Sequence, residues 1–526
     1  MIEIEARLDE LEQLGLARRT RMVSGPQGPR VVLDGKPVLL LCSSNYLGLA
    51  DHPAVREAAA DAAMRWGVGA GGSRAVSGTM TIHRRLEERL AAFQQRQAAL
   101  LFGSGYLANV GVVSALARAG DVVFCDELSH PAVIDGCRLS RADVFVYEHG
   151  DAEHLEWGLR EADGRGSLIV TDGVFGRDGD VAPLHELVDL AARWDVRLVV
   201  GEAHGVGTLG PGGRGAVAEA GVEDGVDAIV GSLGKALGSY GAYVACDQQM
   251  AKYLACAART LLHSTAPGPP AVAGALAALS LLEQQPRRVE KLQANAALLR
   301  DELLAAGFAV AHSPHTPIVT LPLGDAAATL RTIEKALDRG VFAQPLLPPA
   351  VPAAETGLRL AVMASHSKSE LRDAARALAQ AAKAAGADPA ARPARLPAEP
   401  EPFDSDEREL PVTANGGLPL GGDQIATPSV RAGARLAEPT PGLRGRERRA
   451  ELWDDGDGWV EQSRRPARSA TGGGRPFDAD ARSAAGRPFD AELDGPPAPR
   501  AAARSQAQQP GVFDAEASGS LVEHAA

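Results

Sequence analysis

Lys235 sits in Gly231-Ser232-Leu233-Gly234-Lys235-Ala236-Leu237-Gly238, directly after the apolar run Ala228-Ile229-Val230. An amine at the end of a buried strand, ringed by residues without side chains, suits a nucleophile that must shed its proton and attack a flat aldehyde. The same composition also describes a glycine-rich turn holding a solvated lysine, so the weight falls on what accompanies it. About thirty residues earlier His204 stands in Gly201-Glu202-Ala203-His204-Gly205, behind the strand-like Val196-Arg197-Leu198-Val199-Val200. That interval fits one strand-helix-strand unit. Further upstream Phe102-Gly103-Ser104-Gly105-Tyr106-Leu107-Ala108-Asn109 opens a helix, and Asp126-Glu127-Leu128-Ser129-His130 places an imidazole. Backbone amides at a helix start favour a bound phosphate, so Gly105 and Tyr106 are candidate phosphate donors.

The elements that must position these groups follow from the patterning. From Asn45 to about residue 285, short Val/Ile-rich runs alternate with Ala/Leu/Glu/Arg stretches at helical spacing, for example Ser167-Leu168-Ile169-Val170 followed by Leu184 to Trp194. The alternation predicts an α/β fold: a mainly parallel sheet with helices on both faces and ligands at the carboxyl ends of its strands. Between about 290 and 385, Phe308-Ala309-Val310, Ile318-Val319-Thr320-Leu321 and Leu358-Arg359-Leu360-Ala361-Val362 predict the strands of a smaller α+β domain. The expected organisation is a helix and arm over 1–44, a large domain over 45–288, a small domain over 289–385 and a tail over 386–526. In the tail Ala, Pro, Arg, Gly, Asp and Glu dominate and long apolar periodicity is absent, a composition expected to stay disordered. Its repeated Pro-Phe-Asp at Phe403, Phe477 and Phe489 reads as low-complexity drift or as a short binding element.

Composition narrows the partners. A net charge of -13 argues against a nucleic-acid surface. The five cysteines are widely spread and include no Cys-x-x-Cys pair, so no disulfide framework and no metal site is expected, and a reducing cytoplasm fits. The N-terminal Met1-Ile2-Glu3-Ile4-Glu5-Ala6-Arg7-Leu8 is acidic where a secretory signal is basic, and reads as a short amphipathic helix. Glycine interrupts apolar stretches such as Ala98 to Leu107, and no membrane span is expected.

In this order, the motifs resemble those of the α-oxoamine synthase family of pyridoxal-phosphate enzymes, from about the N-terminus to residue 385. Further matches are Ser43-Ser44-Asn45-Tyr46-Leu47-Gly48-Leu49, Gly69-Ala70-Gly71-Gly72-Ser73-Arg74 with Ser77-Gly78-Thr79, Asp178-Gly179-Asp180-Val181-Ala182-Pro183-Leu184 and His263-Ser264-Thr265. The resemblance implies the aspartate-aminotransferase-like fold type I, pyridoxal 5'-phosphate as cofactor, a homodimer, and condensation of a small amino acid with an acyl-CoA or acyl-ACP thioester. Within the family the 8-amino-7-oxononanoate synthase group is the nearest in character, which implies L-alanine and a pimeloyl thioester. The alternatives are the 2-amino-3-ketobutyrate CoA ligase and serine palmitoyltransferase activities.

Carried over residue by residue, the resemblance implies that Lys235 holds the cofactor and moves the substrate's α-proton. His130 would stack on the pyridine ring and His204 would bind its phenolic oxygen. Ser232 and the partner subunit's copy of Thr265 would join Gly105 and Tyr106 at the phosphate. Arg359 would hold the substrate carboxylate, with Arg18 and Asn45 as further substrate contacts. Two positions depart from the pattern. Gly201 stands where relatives carry the aspartate that keeps the pyridine nitrogen protonated, and Gly176 stands where they commonly carry a serine. Neighbouring Glu202 is expected to face away from Gly201's side, because successive strand residues point to opposite faces. The missing carboxylate admits a second class of reading, a pseudoenzyme or scaffold, and restoring it as Gly201→Asp is expected to raise activity.

Ending the chain near residue 390 is expected to leave cofactor binding and the thermal midpoint nearly unchanged, because the tail's composition gives it no core to contribute. Melting curves of full-length and truncated protein test this, and a clear drop on truncation would contradict it.

Overall fold

The computed structural model describes residues 3–13, 20–162, 164–310, 316–348 and 350–391. Most of the tail, from residue 392, lies outside them, as does Arg18. Fourteen strands occur among the described residues: β1 (Val23–Ser24), β2 (Arg30–Leu33), β3 (Lys36–Leu40), β4 (Ala98–Phe102), β5 (Val122–Asp126), β6 (Asp143–Tyr147), β7 (Ser167–Asp172), β8 (Arg197–Gly201), β9 (Ala228–Ser232), β10 (Ala242–Cys246), β11 (Ile318–Pro322), β12 (Val341–Phe342), β13 (Gln344–Leu346) and β14 (Gly357–Ala361).

Seven of these form one sheet in the order β4-β10-β9-β8-β7-β5-β6. β5, β6, β7, β8 and β9 pair in parallel, and β10 runs antiparallel between β4 and β9. Helices cover both faces, so the central strands read as unbroken apolar runs rather than alternating ones, and every residue of β5 and β10 is buried. Two core clusters divide along the two faces, with Val200, Ile229 and Tyr243 in one and Val199, Val230 and Val244 in the other. Gly231 is small because its β10 partner, Tyr243, lays its phenol across it: a Cβ there would come within 2.2 Å of the ring.

A second sheet, β11-β14-β13, carries Arg359 on β14. Ile318–Pro322 and Gly357–Ala361 form strands as expected. The expected strand at Phe308-Ala309-Val310 does not form: Phe308 is buried as an anchor after the helix Arg287–Ala305, and Ala309 N–H bonds to Pro389 O rather than to a ladder. A third sheet joins the chain's early part to a late one, since β3 pairs in parallel with β12. No helix among the described residues is long and apolar enough to cross a membrane.

Two polar ties hold the loops that frame the sheet's carboxyl edge. Arg74, at 2.7 Å from Glu87, fixes the glycine-rich stretch 69–79 to the helix Thr81–Phe93, and Glu87 also accepts the Leu101 amide. Within that stretch Gly78 lies so close to Gly72 that a Cβ would meet its carbonyl oxygen at 2.0 Å. The second tie is His149, whose Nδ1 lies 2.8 Å from Asp126 and whose Nε2 lies 2.5 Å from Asp180. Burial disfavours its charged form, but the hydrogen bonds and charges of the two carboxylates outweigh that and push its pKa up to about 9.

The sign of that shift yields a prediction. A histidine with a raised folded pKa contributes stability that is complete below its unfolded pKa near 6.5 and is lost as pH rises through about 9. His149→Gln is therefore expected to cost about 2 to 3 kcal/mol at pH ~6, and less by pH ~10. Denaturant unfolding of both proteins at the two pH values checks it. A gap that stays constant would show that His149 is neutral in the folded protein.

Candidate active site

β4, β5, β7, β8 and β9 all run the same way, because β4 and β9 are each antiparallel to β10. Their carboxyl ends therefore share one edge of the sheet, where an open α/β fold leaves its ligand crevice. Five chemical groups leave that edge in turn. Gly105 opens a helix after β4, His130 follows β5, Asp172 ends β7, His204 follows β8, and Lys235 follows β9.

Lys235 ends a short polar chain. Its Nζ lies 2.8 Å from His204 Nε2, and His204 Nδ1 lies 2.7 Å from the Tyr46 hydroxyl. Burial and the positive charges of Lys235 and Arg359 hold His204 well below its usual pKa, so its ring is neutral. A neutral ring that accepts from Nζ at Nε2 keeps its proton on Nδ1 and donates it to Tyr46. Burial pulls Lys235 itself down to about 8 against the attraction of Asp172, with Arg359 adding to the depression. The amine is thus within reach of its free-base form near neutral pH, which is the form that attacks a carbonyl.

His130 has an exposed ring at this edge, yet the protein around it and the charge of Lys235 still pull its pKa down to about 4. Its Nδ1 accepts the Ala132 amide at 3.1 Å and so caps the helix Pro131–Ser140, which fixes the imidazole. Arg359 is 6% exposed. Its Nε donates to Gly176 O at 2.6 Å and its Nη1 reaches Gln344 at 3.3 Å, while its charge acts on Lys235 and His204. The resulting neighbourhood joins the large sheet to the β14 sheet through Arg359 and the loop after β7.

Both departures from the family pattern have a spatial reason. A Cβ on Gly176 would meet His204 Nε2 at 2.7 Å, so the imidazole occupies what a serine side chain would need. A Cβ on Gly201 would meet Asp172 Oδ1 at 2.3 Å. An aspartate at 201 would have to displace this carboxylate from the adjacent strand, which bears directly on the expectation that Gly201→Asp raises activity. Glu202 lies apart from both: it is buried, and its carboxylate accepts the Val217 amide at 2.7 Å. Burial and the nearby charge of Asp172, opposed by those amide bonds, leave its pKa raised to about 7.

The remaining candidates differ in their surroundings. Ser104 caps the helix Gly105–Leu116 through the Leu107 amide, and the amides of Gly105 and Tyr106 come before any intrahelical acceptor. Ser232 is half-buried, and its hydroxyl accepts from Gly234 N at 3.2 Å. Asn45 is buried: its Nδ2 donates to Gln27 O and its Oδ1 accepts the Ala50 amide, so it shapes the turn after β3 and keeps one donor and one acceptor site for a substrate. Thr265 is exposed and bridged to Ser73. Asp172 and Tyr46 were not anticipated as site residues. Tyr46 lies in Ser43-Ser44-Asn45-Tyr46-Leu47-Gly48-Leu49, where its hydroxyl was the available signal; Asp172 stands two residues past Ser167-Leu168-Ile169-Val170, so its strand end was legible while its pairing with Gly201 depends on strand register.

Comparison with known proteins agrees with this geometry. The family model for aminotransferase class I and II matches residues 36–378. The 8-amino-7-oxononanoate synthase of Citrifermentans bemidjiense is 48% identical over 384 residues, covering 72% of this chain and 98% of its own. A serine palmitoyltransferase from S. paucimobilis, solved with bound PLP and myriocin, superposes with TM-score 0.69 at 30% identity and covers 73% of this chain and 97% of its own. The 8-amino-7-oxononanoate synthase from Francisella tularensis gives TM-score 0.58 at 26% identity, over 66% of this chain and 98% of its own. The fold is therefore that of the type I pyridoxal-phosphate enzymes, and the chain belongs to the class I and II aminotransferase family, in its α-oxoamine synthase branch.

Proposed function

We propose that this chain is a pyridoxal-phosphate-dependent acyltransferase that joins L-alanine to a pimeloyl thioester, on CoA or an acyl carrier protein, to give 8-amino-7-oxononanoate for biotin synthesis. The relatives' name supports the product, and the site supports the chemistry. The observation that carries the reading is a buried amine, near its free-base form, hydrogen-bonded to a histidine held neutral.

The residues fit the cofactor. The open amides of Gly105 and Tyr106 suit a phosphate, the exposed His130 ring offers a face for stacking, and Lys235 suits an aldehyde. When bound, pyridoxal phosphate supplies that aldehyde and an electron-withdrawing ring that stabilises negative charge on the substrate's α-carbon. Lys235 takes the α-proton, and His204 holds the amine in place through Nε2. Arg359 binds the amino acid's carboxylate before that group departs as carbon dioxide. A carbon-carbon bond forms between the α-carbon and the acyl carbonyl carbon, the thioester bond breaks, the thiol leaves with the proton Lys235 took, and after carbon dioxide departs the α-carbon takes up a proton from solvent. Tyr46 keeps the tautomer of His204 fixed, so the nitrogen facing Lys235 stays an acceptor.

A homodimer completes the reading. Met64, Val68 and Val76 are exposed at 89%, 76% and 84%, around the stretch whose Ser73 bridges Thr265. Apolar residues this open beside a site suit burial against a second copy.

Mixing the protein with pyridoxal phosphate is expected to produce a visible absorbance band that borohydride fixes on Lys235, with capture accelerating as pH rises through about 8. Lys235→Ala should fix none and lose condensation by about 10²- to 10⁴-fold. Peptide mapping and product mass from alanine with pimeloyl, palmitoyl and acetyl thioesters provide the check. Attachment at another lysine, or at none, would refute the assignment.

A further inference from the structure

We propose that Asp172, on β7, is the carboxylate that meets the ring nitrogen of the bound cofactor, in place of the residue on β8 that would ordinarily face it. The inference rests on the cofactor reading above. Asp172 and Gly201 are Cα partners in the parallel ladder of β7 and β8, and residues so paired face the same side of a sheet. With no side chain at Gly201, the Asp172 carboxylate leans across β8, and its Oδ1 lies 2.3 Å from where a Cβ on Gly201 would begin.

The contacts of Asp172 bracket a ring. It accepts the backbone amide of His130, the residue offered for stacking, and it interacts through space with Lys235. The aldehyde carbon and the nitrogen lie at opposite ends of a pyridine ring. A carboxylate that feels the amine across a gap therefore suits the nitrogen end.

Competing acids are engaged elsewhere. Asp126 accepts from Leu128, Gly150 and His149, Asp180 binds His149, and Glu202 binds Val217. Burial leaves Asp172 with a pKa raised to about 7, Lys235 pulling it back only in part and Asp126 adding to the rise. A protonated ring nitrogen would supply the positive charge this carboxylate lacks. The exchange of Gly201 for a carboxylate one strand away is then a relocation of the group.

The test uses the full-length protein and two ligands, pyridoxal phosphate and its 1-deaza analogue, in which a C–H replaces the ring nitrogen. The unaltered protein is expected to bind pyridoxal phosphate about 10- to 100-fold more tightly, the range for a hydrogen bond to a charged group. Asp172→Asn should bring the two affinities within a few-fold of each other while borohydride still fixes both ligands on Lys235. Asp172→Gly combined with Gly201→Asp should recover the preference, because the carboxylate returns from the neighbouring strand. Gly201→Asp alone should not strengthen it, since two carboxylates would then crowd one space. Full preference retained in Asp172→Asn overturns the proposal. Nitrogen-15 NMR of labelled cofactor on the unaltered protein needs no variant: a protonated ring nitrogen at neutral pH is expected, and an unprotonated one also overturns it. Failure of the unaltered protein to fix either ligand on Lys235 would instead bring down the cofactor reading itself, a result distinct from loss of preference in a loaded protein.

Discussion

An amine that must be both buried and reactive sets the terms for this site. Lys235 is placed where its charge is costly, first through burial at the end of β9 and then through the guanidinium of Arg359. Isolated, such an amine would only destabilise the fold. Its surroundings make the arrangement tolerable: His204 accepts its hydrogen bond, and Asp172 supplies a partial counter-charge. Burial first, and the positive charges of the site after it, keep His204 and His130 neutral as well, so one environment sets three protonation states.

The parts of this structure that could be read from the sequence are those written locally. Lys235, His204, His130 and the helix start at Gly105 each sit a few residues past an apolar run, so the run predicts the strand and the strand predicts where the side chain emerges. The helix Leu184–Trp194 was legible residue by residue from its periodicity. Asp172 was not. Its relation to Gly201 is a register across two strands, and an unaligned apolar run leaves register open. His149 was hidden for a like reason, since its two carboxylates are 23 and 31 residues away along the chain. The antiparallel insertion of β10 also escaped prediction, because a fully buried strand has the same composition in either direction.

Phe308 shows how a motif can mislead, and Asn45 how a motif residue can also act through its neighbour. The amide of Asn45 helps shape the turn that delivers Tyr46 to His204. Phe308-Ala309-Val310 has a strand's composition, yet its buried ring already satisfies the hydrophobic requirement and its backbone finds an irregular partner. At Phe308 the residue type was informative and the inferred strand was not.

The strand order also fixes a timetable. β4, which leads into the helix offered to the phosphate, is joined in the large sheet only to β10, and β10 lies well over a hundred residues later in the chain. During synthesis β4 therefore has no sheet partner until β5 through β9 have been made, and the ribbon on which the phosphate loop is mounted closes last. Pairings of such long sequence separation carry a loop-closure entropy that slows folding, and they expose an apolar strand edge while it waits. A nascent chain of this topology thus carries an unpaired, apolar β4 edge while the strand that leads to Lys235 is already being made.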